Sequence, residues 1–182
     1  MDNSSIDSTS FHSASLYDFS RSSLNAIISK HQVDASFKLK EKVELIQSQL
    51  NELLHLAGDI IFDYPIPHNE SKSNVIFLYR GLVFVVIFKF NENEYHQKDI
   101  DVTQQLAFAL KTHHSLCQDR FIVPVLIATG AESQGCDIQV STERVINTIV
   151  DNGHNLAALL EHFSNQFKAD KIDADAWISE NN

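Results

Sequence analysis

Glycine and proline are scarce in this chain, 5 and 3 in 182 residues. So little glycine makes a backbone cradle for phosphate hard to build. Neither a glycine-rich Lys-Ser/Thr loop nor a Gly-x-Ser-x-Gly elbow occurs. P-loop nucleotide hydrolysis and elbow-type acyl transfer therefore find no support. Cysteine is limited to Cys117 and Cys136, without a Cys-x-x-Cys, which argues against zinc; a bridge between the two stays open on sequence. The longest apolar run, Leu82 to Phe88, is too short to cross a bilayer. Met1 to Ser15 is serine-rich, carries acids and lacks the apolar stretch of a signal peptide. The expectation is a cytoplasmic protein with no membrane segment. Positive charge is also short: 14 Lys plus Arg against 24 Asp plus Glu, net −10. That field repels a phosphate backbone unless cations gather locally, and the densest group is only Lys38, Lys40 and Lys42. Nucleic-acid binding is disfavoured, and a protein partner or a homodimer is favoured.

What is present is apolar material for one core: 43% hydrophobic residues, with 12 Phe. Residues 1–15 read as a polar flexible arm, 16–168 as one α/β domain, and 169–182 as a polar C-terminal tail around Trp177. Helical spacing runs over 16–31, with Ser20 or Ser22 as cap, and over 37–57, with Gly58 as stop. Ile60 to Phe62 reads as a short strand bounded by Pro65 and Pro67. Two β-branched and aromatic runs, 74–79 and 82–90, meet at Arg80-Gly81, a hairpin signal; the second is apolar on both faces and belongs in the middle of a sheet. Residues 99–115 form a helix with Ile100, Leu106, Ala109, Leu110 and His113 inward. A buried strand covers 121–129, where Pro124 demands an edge or a bulge. Ile138 to Val140 is a candidate short strand. Leu156 to Phe167 is a helix starting near Asn152 or Asn155.

The hairpin carries the chemical interest. It opens at Asn74 and closes on Phe88-Lys89. The order helix, three strands, helix, strand, with that lysine, resembles the PD-(D/E)XK nuclease superfamily. It is similar in particular to the nuclease-like domain that precedes a Schlafen-type ATPase/helicase module in many bacterial proteins. The segments that carry the resemblance are Phe62-Asp-Tyr-Pro-Ile-Pro67, the hairpin 74–90, Leu110-Lys-Thr-His-His114, Ile122-Val-Pro-Val-Leu-Ile-Ala-Thr129 and Ile172-Asp-Ala-Asp-Ala-Trp177. The resemblance implies a three-layer α/β/α, restriction-endonuclease-like core with a mixed central sheet, plus N- and C-terminal helices. It also implies an acid at the position of Asn74 and a glutamate at that of Ile87, and both are missing. A glutamine implied near Val102 has Gln104 and Gln105 as neighbours.

Phosphodiester hydrolysis on this scaffold uses Mg²⁺ held by carboxylate oxygens. Asp63 with Asn74, Ile87 and Lys89 makes a vestigial site holding one carboxylate, too little for the ion. No catalytic residue, cofactor or metal is expected. The alternative is a Mg²⁺-dependent nuclease with a rearranged site, using Asp63, Lys89 and a carboxylate borrowed from Glu70, Glu92 or Glu94. His96, His113 and His114 invite a metal site, but adjacent helical residues diverge. His113 and Cys117 share i,i+4 spacing. The resulting expectation is an inactive nuclease-like protein that regulates by protein contacts, in bacterial anti-phage defence or its inhibition.

Overall fold

A computed structural model of the chain describes residues 12–31, 37–70 and 73–180. It shows an α/β architecture with helices on both faces of a six-stranded mixed sheet. Strands β1 (His12–Ser15), β2 (Gly58–Phe62), β3 (Val75–Tyr79), β4 (Leu82–Lys89), β5 (Ile122–Ala128) and β6 (Ile149–Asp151) lie side by side in chain order. The first four are antiparallel, and β4, β5 and β6 are parallel. Seven consecutive residues of β4 are buried, which explains its two apolar faces. Its even-numbered residues pack with helices α1 (Leu16–Arg21), α2 (Leu24–His31), α3 (Phe37–Leu50) and α5 (Leu156–Phe167). Its odd-numbered residues pack with α4 (Gln97–His113) and α6 (Ala174–Ser179). Among the described residues no helix is long and apolar enough to cross a membrane.

The β3–β4 turn is the two-residue kind that suits sheet twist, with Arg80 at φ 49 and Gly81 at φ 85. A Cβ on Gly81 would also sit 2.5 Å from the Ala169 carbonyl oxygen, so the turn requires glycine. Pro124 sits at a bulge. Ile122 pairs with Val145 and Val125 with Ile149, so one extra residue intervenes on the β6 side where a prolyl donor would be missing.

Several expectations are corrected. The arm and the tail both contribute structure: His12–Ser15 pairs with β2, while residues 1–11 lie outside the described set. The tail forms α6, and its Trp177 is completely buried because residues 169–172 carry the chain back over the hairpin turn. The span 16–31 holds two helices. Their caps are Ser15, accepting from the Asp18 N–H, and Ser23, accepting from the Ala26 N–H, in place of Ser20 or Ser22. Helix α3 stops at Leu50, and Gly58 opens β2; the Leu54 N–H is taken by Glu161 at 3.2 Å, which leaves the Leu54 side chain in solvent. His113 is exposed and His114 is the buried one, because α4 ends at His113 and the extended His114 turns its ring under Trp177. That helix end also separates His113 from Cys117, which lies in the 3₁₀ turn Ser115–Cys117. Ile138 to Val140 forms only an isolated bridge between Val140 and Ile146. Both cysteines are free.

Candidate functional site

The hairpin register assembles the expected positions. Val75 lies opposite Val86, so the next step places Asn74 opposite Ile87, and Lys89 follows on the same face as Ile87. What occupies the positions is not a ligand set. The Asn74 Oδ1 accepts the Phe88 N–H at 2.8 Å, completing the ladder where β3 has run out. Ile87 is 8% exposed and packs into the core under α4. Lys89 Nζ sits 3.1 Å from Asp99 Oδ1 in the first turn of α4.

Asp63 joins the group through its backbone, donating its N–H to the Asn74 carbonyl at 3.2 Å. Its charge acts on Lys42 of α3. Burial pushes the Lys42 ammonium below its ordinary pKa, and Asp63 opposes that shift. Lys42 lies over the Phe88 ring, and Phe88 belongs to the other face of the sheet from Ile87 and Lys89. Asp99 thus pairs with Lys89, while Asp63 acts on Lys42 through its charge without forming an ion pair with it among the described residues. A divalent ion needs several convergent oxygens with a surplus of negative charge, and Mg²⁺ does not fit these residues. Of the candidate substitutes, Glu70 and Glu94 are exposed and Glu92 contacts His96 at 3.3 Å. Among the described residues no three His, Cys, Asp or Glu side chains converge in a metal-binding group.

Asp99 is the residue that sequence reasoning missed. An acid in the first turn of a helix is ordinary, since it faces the positive end of the macrodipole, so nothing marked it as the partner of Lys89. Gln104 proves structural. Its Nε2 donates to the Ile146 carbonyl at 3.0 Å, and its Oε1 accepts the Thr148 N–H at 2.7 Å, tying α4 to the bulge before β6. Gln105 is exposed.

A second polar cluster closes the other end of α4. The fully buried His114 ring stacks on Trp177 with centroids 4.3 Å apart. Its Nε2 lies 2.9 Å from the Trp177 carbonyl and its Nδ1 2.7 Å from the Glu180 carboxylate. Glu180 also accepts the Ser115 N–H at 2.8 Å. Burial pushes the Cys117 thiol up to about 12 and raises the Tyr64 hydroxyl as well. His113 diverges from His114 and meets the His68 ring, centroids 4.3 Å apart. Compared with protein-family models, with curated protein sequences and with solved structures, the chain finds no match.

Proposed function

We propose that this chain is a catalytically inactive PD-(D/E)XK-like domain with a restriction-endonuclease-like core. In this reading it acts in the cytoplasm as a protein-binding regulator of bacterial anti-phage defence or of its inhibition. One observation carries the loss of catalysis: at the cross-strand pair where two carboxylates would converge, Asn74 is spent on the Phe88 N–H and Ile87 is in the core. The lysine that would face the scissile phosphate is held by Asp99. The net charge of −10 disfavours a nucleic-acid ligand and supports a protein one. The test is incubation of the purified protein with single- and double-stranded DNA and RNA, with Mg²⁺ or Mn²⁺. The reading expects intact substrates. Cleavage that Lys89→Ala abolishes would overturn it.

A second reading has one observation in its favour, the Asp99 carboxylate 3.1 Å from Lys89. It makes the protein a metal-dependent nuclease with a rearranged site built on Asp63, Lys89 and Asp99. That reading requires Asp99→Asn to abolish cleavage.

A further inference from the structure

Strand β6 ends the sheet, and its three residues are buried. The Val83 N–H bonds the Phe121 carbonyl, and Ile122 exchanges bonds with Arg144 and Ile146. The even-numbered residues of β5 therefore face β6. Leu126 then reaches Ile149 and Asp151, and the N–H and C=O of Val150 point outward from the sheet. Among the described residues no hydrogen bond is made to either group.

The chain from Ala131 to Val140 passes this edge and pairs only at its end, where Val140 bridges Ile146 and the Asn147 N–H bonds the Gln139 carbonyl at 3.0 Å, short of Val150. Asparagines pin it on either side: Asn152 Nδ2 to the Ala131 carbonyl at 3.4 Å, and Asn147 Nδ2 to the Asp137 carbonyl at 2.8 Å. Between the pins lies a recess of about 360 Å³ with an apolar lining of Ile138, Ile149, Leu159 and Phe163. Ile138 and Val140 are each 44% exposed.

Charge says what fits. The segment 131–140 at the edge carries two exposed acids, Glu132 and Asp137, and no Lys or Arg, the nearest such residue along the chain being Arg144. Arg144 is already engaged, over the Phe121 ring and on the Asp119 carbonyl. We propose that this edge binds an extended segment of a partner protein, with an apolar side chain in the recess and lysine or arginine on either side, adding a strand beside β6. Main-chain bonds to Val150 supply affinity, the recess selects the side chain, and the acidic surround selects the flanks. The inference rests on the protein-binding reading above and names its docking site.

The experiment selects short random peptides displayed on phage against the full chain, then measures the chosen peptides by fluorescence anisotropy. Expected are alternating apolar residues with flanking lysine or arginine, and binding that weakens as salt rises. Ile138→Asp should weaken binding about tenfold or more. Val150→Pro should do the same, because it removes an outward donor that β5 does not use. Saturating peptide should slow the reaction of the exposed Cys136, at the rim of the recess, with a thiol reagent. If Val150→Pro misfolds, N-methylated peptides on the native chain make the same distinction: methylation at alternate residues blocks binding in one register and spares it in the other. Failure to select any peptide, selection of acidic peptides, or binding indifferent to Ile138→Asp and to N-methylation would overturn the proposal. A dimer in sedimentation that Ile138→Asp dissolves would give the edge to a second copy, and also overturn it. Metal-dependent cleavage would instead sink the inactive-nuclease reading and leave this site standing.

Discussion

Two acid–base pairs bracket α4, and they are built for different ends. At its first turn Asp99 meets Lys89 in the open, with the lysine side chain 40% exposed. Past its last turn Glu180 meets a fully buried His114 beneath Trp177. The open pair occupies the place where the proposed nuclease-like scaffold would do chemistry. The closed pair holds α6 against the core. Perturbed ionisation often marks functional sites. Here the thiol of Cys117 and the hydroxyl of Tyr64 are shifted most, and both belong to the closed end. Burial under α6 is the cause. The two ends differ in solvent access, and so in what each side chain is worth to stability.

The largest expected effect comes from emptying the closed end. Trp177→Ala removes the anchor of α6 and should cost about 3–5 kcal/mol in chemical denaturation. Next is the open end's hidden structural bond. Asn74→Ala leaves the Phe88 N–H without its acceptor and should cost roughly 1–3 kcal/mol, whereas Asn74→Asp keeps an acceptor and should lose less. Equal losses in the two variants would break the assignment of Asn74 as a ladder surrogate.

The pH dependence should come from the closed end too. Burial pushes the His114 ring below its ordinary 6.5, against the Trp177 carbonyl and Glu180. The unfolded chain then takes up the proton more readily, so stability falls as the pH drops below about 6.5. Burial works against the Glu180 charge as well, but hydrogen bonds from Ser115, the nearby His114 and the Leu116 N–H outweigh it, and its pKa lies below the ordinary 4.5. Glu180 therefore adds a further loss below about pH 4.5. His114→Gln should flatten the upper part of a melting-temperature profile between pH 8 and 5; an unchanged slope would place the titrating group elsewhere. The smallest effect belongs to Lys89→Ala, about 0–1 kcal/mol, because an exposed pair gains little over its hydration.

The contrast was only half legible in the sequence. The β3–β4 hairpin could be read because two β-branched runs meet at Arg80-Gly81, and the turn length then fixes which residue faces which. Asn74 and Ile87 were singled out by the resemblance, and it is the observed register that sets them opposite each other. The closed end could not be read. Residues 169–180 offer Ile172 and Trp177 as their main apolar anchors, too sparse for a period to emerge, and a polar tail was the natural reading. The edge strands β1 and β6 are four and three residues long, below the length at which alternation is visible. The end of α3 was misread because Leu53 and Leu54 continue its stripe while Glu161, more than a hundred residues away, captures the Leu54 N–H. Asp99 was hidden by being ordinary. Local patterns were readable; partnerships across the fold were not.

The most direct test of the central claim is a Mn²⁺ titration followed by paramagnetic broadening of backbone amide signals. In the native chain the account predicts no saturable broadening centred on Asp63, Asn74, Ile87 and Lys89. It predicts such broadening once Asn74→Asp and Ile87→Glu are combined. Saturable broadening at those amides in the native chain would contradict it.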